Sequence, residues 1–342
     1  MASIKEARKR ISVGEHSLAN VSAPNYPNGC TGYDDSFDLG KFKKNFRIVI
    51  KRIEENEMEF DLIGMEAAIP NAFRRILLVE LPSMAIEKVF IYNNTSILQD
   101  EVLAHRLGLI PLKADPRRFE YRQEGDENGT EQDTLEFELK ANCSSNKNAS
   151  KDSCNPDEIY INHKVFSGSL NWVPIGNQAD VYTADDVGPV HNDILINSMR
   201  PGHKLDIKLH AVKGIGRDHA KFSPVATAFY RLLPEITLTR EIEGELADKL
   251  QSCFTPGVIK VVETDDGRRV AKVEDSRYDM CSRNVFRHKE LADAVKMDRV
   301  RDHFIFSIES VGAIPPEMLF KESVNVLKKK CTYFLEEIEE SF

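Results

Sequence analysis

Residues 69–82 read Ile-Pro-Asn-Ala-Phe-Arg-Arg-Ile-Leu-Leu-Val-Glu-Leu-Pro, and they carry the most informative pattern in the chain. Its apolar side chains recur at intervals of three and four, which places them on one face of a helix. These residues are Ile69, Phe73, Ile76, Leu77 and Leu81. Pro70 suits the first turn, where its missing N–H is not needed, and Pro82 ends the helix. The spacing therefore predicts an amphipathic helix over 69–81.

A longer helical pattern closes the chain. Pro315-Pro316 can open a helix of about 25 residues, and apolar side chains follow at steps of four and three. We call this set the C-terminal stripe: Phe320, Val324, Leu327, Cys331, Phe334, Leu335 and Ile338. The pattern alone leaves two interpretations open, an ordinary core helix and a helix–helix interface with a partner chain.

Runs of alternating apolar and polar residues predict strands around these helices. Before the first helix, two runs predict a β-hairpin with one buried face. Their inward residues are Phe46, Ile48 and Ile50, then Met58, Phe60 and Leu62. Further strands are predicted at 135–139, 159–161, 205–209 and 304–308, and a hairpin at 258–273 around Asp265-Asp266-Gly267. Short helices are predicted at 100–107 and 241–253.

Composition excludes several classes of protein. The 342 residues are 41% hydrophobic and 30% charged, which is a globular balance. The net charge of −9 argues against a free-standing nucleic-acid binder. We find no apolar window long enough for a transmembrane helix and no apolar core near the start that would indicate a secretory signal. The six cysteines are widely spaced, as is typical of reduced thiols in an intracellular protein.

Signals for catalysis are weak. The chain has no phosphate-binding loop and no nucleophile elbow. Gly214-Ile215-Gly216 is better explained as a turn between strands than as part of a dinucleotide fingerprint, and Arg301-Asp302-His303 as a charged loop edge. A stand-alone enzyme would need a cleft that gathers residues far apart in sequence.

One segment is basic in an otherwise acidic chain. Six basic side chains surround the first predicted hairpin: Lys41, Lys43, Lys44, Arg47, Lys51 and Arg52. A solvated sheet face explains them better than a phosphate-binding track, so direct binding to nucleic acid is the weaker hypothesis.

Several motifs resemble one family. The segment Asn-Ala-Phe-Arg-Arg-Ile-Leu-Leu at 71–78 resembles the signature helix of the α-like subunits of cellular RNA polymerases. Residues 82–89 and 99–112 look like its eukaryotic and archaeal branch. Phe-Ile-Tyr-Asn-Asn-Thr-Ser at 90–96 and Gly-Arg-Asp-His-Ala-Lys-Phe-Ser-Pro-Val at 216–225 are similar to the larger α-like subunits shared by RNA polymerases I and III.

The resemblance implies an α+β fold, with an α-like dimerisation domain of a sheet and two interface helices that is interrupted twice. The implied segments are dimerisation parts at 41–84, 205–240 and 301–342, a β-rich insert domain (85–204) and a ferredoxin-like insertion without a cluster (241–300). Residues 1–40 are polar and have no sustained period, which predicts a flexible N-terminal arm. Relatives hold zinc or iron–sulfur clusters through grouped cysteines. Here only Cys143 and Cys154, or Cys253 and Cys281, stand in the corresponding regions, so we expect no metal and no cofactor.

The resemblance also implies partners and site residues. A smaller α-like subunit would pack on Phe73, Ile76 and Leu77 together with the C-terminal stripe. The large catalytic subunits would dock near Asn71, Arg74 and Arg75, because arginine supplies multidentate donors to carbonyls and carboxylates. We expect a non-catalytic scaffold in the nucleus, including the nucleolus, that serves synthesis of the ribosomal RNA precursor, 5S RNA and tRNA. No membrane and no specific nucleic-acid contact are expected.

Overall fold

The computed structural model describes residues 9–21, 37–123, 125, 128–149, 154–183 and 185–341. The chain divides into two compact units. The first comprises residues up to Arg52, then Glu59–Asn71 and Phe229–Ser307; the second comprises Ile53–Met58, Ala72–Ala228 and residues from Ile308 onward. Both contain helices and sheets, and the mixed α and β class is as predicted.

Helices alternate with strands along the chain, and the last helix follows the last strand. These helices are α1 (Leu39–Asn45), α2 (Ala68–Val79), α3 (Asp100–Gly108), α4 (Pro156–Ile159), α5 (Gln178–Val181), α6 (Glu245–Cys253), α7 (Lys289–Ala292) and α8 (Pro316–Glu340). Short 3-10 turns occur at Pro116–Arg118, Ser167–Ser169, Ala220–Phe222, Ser276–Tyr278 and Asn284–Arg287. Across the described ranges, no helix combines the length and the apolar character needed to cross a membrane.

The strands range from two-residue bridges to 16-residue ladders. They are β1 (Arg10–Val13), β2 (Leu18–Ala19), β3 (Arg47–Ile53), β4 (Glu57–Ile63), β5 (Pro82–Asn94), β6 (Leu112–Lys113), β7 (Thr134–Asn142), β8 (Ser144–Ser145), β9 (Tyr160–Ile161), β10 (Lys164–Phe166), β11 (Asn171–Val173), β12 (Gly188–Pro189), β13 (Leu195–Ser198), β14 (Lys204–Ile215), β15 (Val225–Leu238), β16 (Ile259–Glu263), β17 (Arg269–Val273) and β18 (Val295–Ser310).

The first unit is built on a sheet in the order β2-β1-β18-β4-β3, with β15 also paired to β18. Phe60 of β4 and Phe306 of β18 are buried in its core, and their rings stack with centroids 5.3 Å apart. The predicted hairpin forms, but every residue of β3 is exposed. The prediction of a buried face is therefore wrong for this strand, including Ile48 and Ile50, because β3 lies at the edge of the sheet.

The N-terminal region departs from the predicted flexible arm. Arg10–Val13 pair with Val300–Met297 of β18 in antiparallel register, and Val13 is buried. A second short strand, β2, pairs with β1. The prediction is therefore wrong for these residues, because backbone hydrogen bonds to a strand at the other end of the chain order them. The rest of the predicted arm lies largely outside the described residues.

An ion pair links β1 to β15, and it should make stability depend on pH. The Arg10 guanidinium donates to the Glu235 carboxylate and holds the pKa of that carboxyl below its ordinary value of 4.5. A lowered pKa stabilises the fold above the ordinary value, and the contribution disappears as pH falls through the folded-state pKa. We expect Glu235→Gln to be less stable than the parent at neutral pH by up to about 1 kcal/mol, since the pair is partly exposed.

Urea unfolding of both proteins at neutral pH and at about pH 3 measures this difference, which should shrink towards zero in acid. A difference that is the same at both pH values would contradict the assignment.

The segment 241–300 contributes α6 and a hairpin formed by β16 and β17. The hairpin lies in the predicted region, and its antiparallel register runs from Ile259↔Val273 to Glu263↔Arg269. Its predicted helix begins at Glu245 rather than at residue 241. Its apolar core is continuous with the strands of the first unit, since Val13 and Ile236 belong to the same buried cluster as Leu250 and Val285. Within the described residues, the segment therefore shares its core with the strands of the first unit.

The second unit contains a four-stranded sheet in the order β11-β7-β14-β5. Its buried centre includes Leu135, Phe137, Leu139, Ile207 and Leu209. The predicted segment boundary at 84/85 cuts through β5, which pairs along its length with β14. The prediction assigned β14 to the dimerisation domain, whereas the structure makes it a central strand of this sheet.

The predicted strand at 159–161 is shorter than expected. Ile159 ends α4, and only Tyr160–Ile161 form a strand, paired with Ser144–Ser145. Nearby, Cys143 is buried and Cys154 is exposed. In the part of the chain that the structure describes, no group of three or more His, Cys, Asp or Glu side chains is placed to hold a metal ion.

Candidate subunit interface

Helix α2 faces inward with the residues that its spacing selected. Phe73, Ile76 and Leu77 are 7%, 3% and 0% exposed. Side chains of the same chain cover them, so their direct contact with a partner stays a prediction. One of them, Phe73, packs against Phe320 of α8.

The N-terminal half of α8 packs within the second unit. Phe320 lies edge-on to Phe73, with ring centroids 5.3 Å apart and planes at 65°. Leu319 and Ser323 are buried one turn apart, and the Ser323 hydroxyl donates to the Phe320 carbonyl oxygen at 2.7 Å. Such edge-to-face pairs contribute about 0.5–1.5 kcal/mol beyond their buried area. This half of α8 is therefore fixed in orientation.

Two ion pairs also hold α8 against other residues of the second unit. The Lys330 ammonium donates to the Glu80 carboxylate at 2.6 Å, just beyond the end of α2. Glu322 lies 3.9 Å from the Arg117 guanidinium. These pairs are partly exposed, so each contributes little free energy, but together they fix which face of α8 is turned outward.

The C-terminal half of α8 carries an uncovered apolar surface. Val324, Phe334, Leu335 and Ile338 are 42%, 62%, 60% and 54% exposed, and Cys331 is also exposed. Leu327 is half-buried, and every residue from 328 to 341 is exposed. Within the C-terminal stripe only Phe320 makes a ring contact with the core described above. Contiguous exposed apolar surface of this kind marks a docking site.

Charged residues border this surface. By helical spacing, Lys328 and Glu339 lie on one flank and Glu337 on the other, whereas Lys329, Glu336 and Glu340 lie on the far side of the helix. An apolar centre with a charged rim is the usual anatomy of a protein–protein interface.

The predicted docking residues for large subunits lie on α2. Arg75 is exposed, whereas Arg74 and Asn71 are half-buried. The Asn71 backbone N–H donates to the Ala67 carbonyl oxygen at 3.1 Å, as expected near the start of a helix. Arg75 is therefore the member of this set that can reach a partner without rearrangement.

Sequence reasoning missed the residues that seat α8. Leu319 and Ser323 were not selected, although their spacing of four was a usable signal. Glu80 carries no sequence signal for its pairing with Lys330, because the two residues are 250 positions apart.

Two weak sequence motifs have structural explanations. A Cβ on Gly214 would lie 2.7 Å from the Phe222 ring, and one on Gly216 would lie 2.3 Å from the Leu78 carbonyl oxygen. Close packing at the end of β14 therefore accounts for both glycines. His303 lies within β18 and places its Nε2 atom 3.2 Å from the Asp61 carboxylate, so the predicted loop edge at 301–303 is wrong.

Known proteins are similar in sequence to this chain over most of its length. The model of the family described as RNA polymerase Rpb3/Rpb11 dimerisation domain matches residues 59–331. A Mus musculus protein named DNA-directed RNA polymerases I and III subunit RPAC1 is 55% identical over 336 residues, covering 98% of this chain and 97% of that protein. The Saccharomyces cerevisiae protein of the same name is 43% identical over 326 residues, with 94% and 96% covered.

A more distant relative is named as a subunit of other RNA polymerases. The Arabidopsis thaliana protein named DNA-directed RNA polymerases II, IV and V subunit 3 is 29% identical over 303 residues, covering 86% of this chain and 91% of that protein. The higher identity to the proteins named for polymerases I and III agrees with the motifs at 90–96 and 216–225, and the predicted resemblance is confirmed.

Proposed function

The chain belongs to the RNA polymerase Rpb3/Rpb11 dimerisation family, and from this premise we propose that it is the larger α-like assembly subunit of RNA polymerases I and III. It pairs with a smaller α-like subunit, and the pair provides the platform on which the large catalytic subunits dock. Polymerisation chemistry belongs to those other chains, which make the ribosomal RNA precursor, 5S RNA and tRNA. This role places the protein in the nucleus, including the nucleolus.

The uncovered half of α8 is the observation that carries the proposal. Full burial of a large apolar side chain contributes about 1.5–3 kcal/mol. The C-terminal stripe offers six such positions beyond Phe320, enough to offset the association cost of about 4–15 kcal/mol when most are buried. Permanent interfaces are the apolar ones, so a stable heterodimer fits this surface better than a transient contact.

The rigid seat of α8 supports the same conclusion. Phe73, Leu319 and the Lys330–Glu80 pair hold the helix in place before any partner arrives. Binding then loses little conformational entropy, because the outward face is already oriented. The family's dimerisation role gives the occupant: the corresponding helices of the smaller α-like subunit.

A tagged pull-down from cells tests the whole proposal. The tagged chain should recover the smaller α-like subunit together with the large subunits of both polymerases, identified by mass spectrometry. Recovery of the tagged chain without any polymerase subunit would overturn it.

Arg75→Glu tests the second docking surface. Because Arg75 is exposed on α2 and lies outside the C-terminal stripe, the heterodimer should form with unchanged yield. Recovery of the large subunits should fall about tenfold or more, since a charge reversal at an arginine contact replaces attraction by repulsion. Arg287→Glu, a charge reversal at an exposed arginine elsewhere, is the matched control. Undiminished recovery of large subunits with Arg75→Glu would remove Arg75 from the proposed surface.

A further inference from the structure

Strand β3 ends the sheet of the first unit with an open edge. It pairs with β4 on one side, and in the described part of the chain no strand occupies the other side. Ile48, Val49 and Ile50 are 46%, 37% and 56% exposed. Because successive side chains of a strand point to opposite faces, β3 presents apolar surface on both faces as well as unpaired backbone groups at its edge.

Within its own segment, this apolar centre is accompanied by positive charge alone, whereas acidic side chains lie on the neighbouring strand β4. Residues 39–53 contain six Lys or Arg and no Asp or Glu, in a chain of net charge −9. Within β3 itself, Arg47 precedes the apolar centre, and Lys51 and Arg52 follow it. On the neighbouring strand, the carboxylates of Glu59 and Asp61 accept hydrogen bonds from Arg277 at 2.8 Å, so they are already engaged.

Helix α1 brings more positive charge to the start of β3. The Asp38 carboxylate caps α1 by accepting from the backbone N–H groups of Gly40 and Lys41, at 2.8 and 3.2 Å. Lys43 and Lys44 lie in its last turn, directly before β3. The stacked rings of Phe42 and Phe46, 5.3 Å apart, fix this junction.

We propose that the open edge of β3 binds an extended acidic segment of a partner protein as an added strand. An added strand satisfies the backbone N–H and C=O groups of the edge and covers Ile48, Val49 and Ile50 with its own alternating side chains. Its carboxylates meet the exposed Lys43, Lys44 and Arg47 at the start of β3. Nucleic acid fits less well, because β3 has no aromatic side chain on which bases could stack and phosphates gain nothing from aliphatic surface.

This inference is separate from the partner proposed for α8, and either can fail without the other. The test uses the full chain and a fluorescein-labelled peptide, Glu-Glu-Val-Ile-Val-Glu-Glu, with fluorescence anisotropy as the readout. The peptide Lys-Lys-Val-Ile-Val-Lys-Lys is the charge-reversed control. The test variant combines Lys43→Glu, Lys44→Glu and Arg47→Glu, and the matched control combines Lys147→Glu, Lys272→Glu and Lys289→Glu, all exposed in the parent chain.

The acidic peptide should bind the parent and the control variant alike and lose about tenfold or more in affinity for the test variant. Hydrogen–deuterium exchange should slow at residues 47–53 when the peptide binds. The proposal is overturned by equal affinity for both variants, by absence of protection at 47–53, or by absence of binding. Tighter binding of single-stranded RNA, with the same sensitivity to the test variant, would assign the edge to nucleic acid instead.

Discussion

Replacing Ile338 by aspartate (Ile338→Asp) will abolish co-purification of the chain with the smaller α-like subunit. Ile338 is 54% exposed in the chain alone, so the substitution leaves the fold intact. In the proposed heterodimer the same position is buried, and an unpaired carboxylate there costs several kcal/mol. The measurement is the yield of heterodimer after coexpression and affinity purification, with the circular dichroism spectrum of the chain as the check on folding.

Tyr333→Asp on the same helix is the matched control. Tyr333 is 56% exposed, but its position lies on the opposite side of α8 from Ile338. The control should retain most of the heterodimer. Equal loss with both variants would show that any charge on the exposed half of α8 disrupts binding, and full retention with Ile338→Asp would remove the C-terminal stripe from the interface.

Replacing Arg277 by methionine (Arg277→Met) will lower the free energy of unfolding by about 3 kcal/mol or more. The Arg277 guanidinium is mostly buried and donates to Glu59 and Asp61, each at 2.8 Å. Its hydrogen bonds with these carboxylates raise the pKa of Arg277 against the opposing effect of burial. Removing it leaves Asp61 buried with the Lys51 ammonium at 3.9 Å and the Nε2 atom of His303 at 3.2 Å as its remaining neighbours.

An exposed ion pair of similar geometry tests whether burial, rather than the donor–acceptor distance, determines the loss of stability. Arg269 donates to Asp248 at 2.6 and 2.8 Å, but both side chains are about half exposed. We expect Arg269→Met to cost less than about 1 kcal/mol, because water screens the exposed charges. Urea unfolding of the two variants measures the comparison. Similar losses in both would contradict the role given to Arg277.

The helices were predictable because their signal is local. The spacing that selected Phe73 and Ile76 also selected Leu327 and Ile338, and both sets lie on helices. The same spacing could not tell which set is covered by the chain itself. Phe73 is buried and Ile338 exposed because α2 packs inside the second unit, whereas α8 continues past the residues that seat it.

For strands as well, the sequence pattern does not show which side chains are buried. The alternation in β3 and in β4 is equally regular, yet Phe60 and Leu62 of β4 are buried and every residue of β3 is exposed. Among the strands that the structure describes, β4 has a neighbour on each side and β3 has a neighbour on one side, which accounts for the difference. Pairing of β1 with β18 joins residues such as Ser12 and Asp298, 286 positions apart, and no local pattern encodes such a contact.

Ion pairs between residues far apart in the chain could not be predicted from the sequence either. Arg277 and Asp61 are 216 positions apart, and neither has a distinctive sequence context. The family resemblance supplied the dimerisation role, but it did not predict that Phe73, Ile76 and Leu77 are covered by side chains of the same chain.

Hydrogen–deuterium exchange of the chain, alone and coexpressed with the smaller α-like subunit, tests the central claim most directly. We expect a complex of one copy of each, in which amide exchange slows strongly over residues 324–340 and little over the already buried α2. Absence of a complex, or a complex in which residues 324–340 exchange as fast as in the isolated chain, would contradict it.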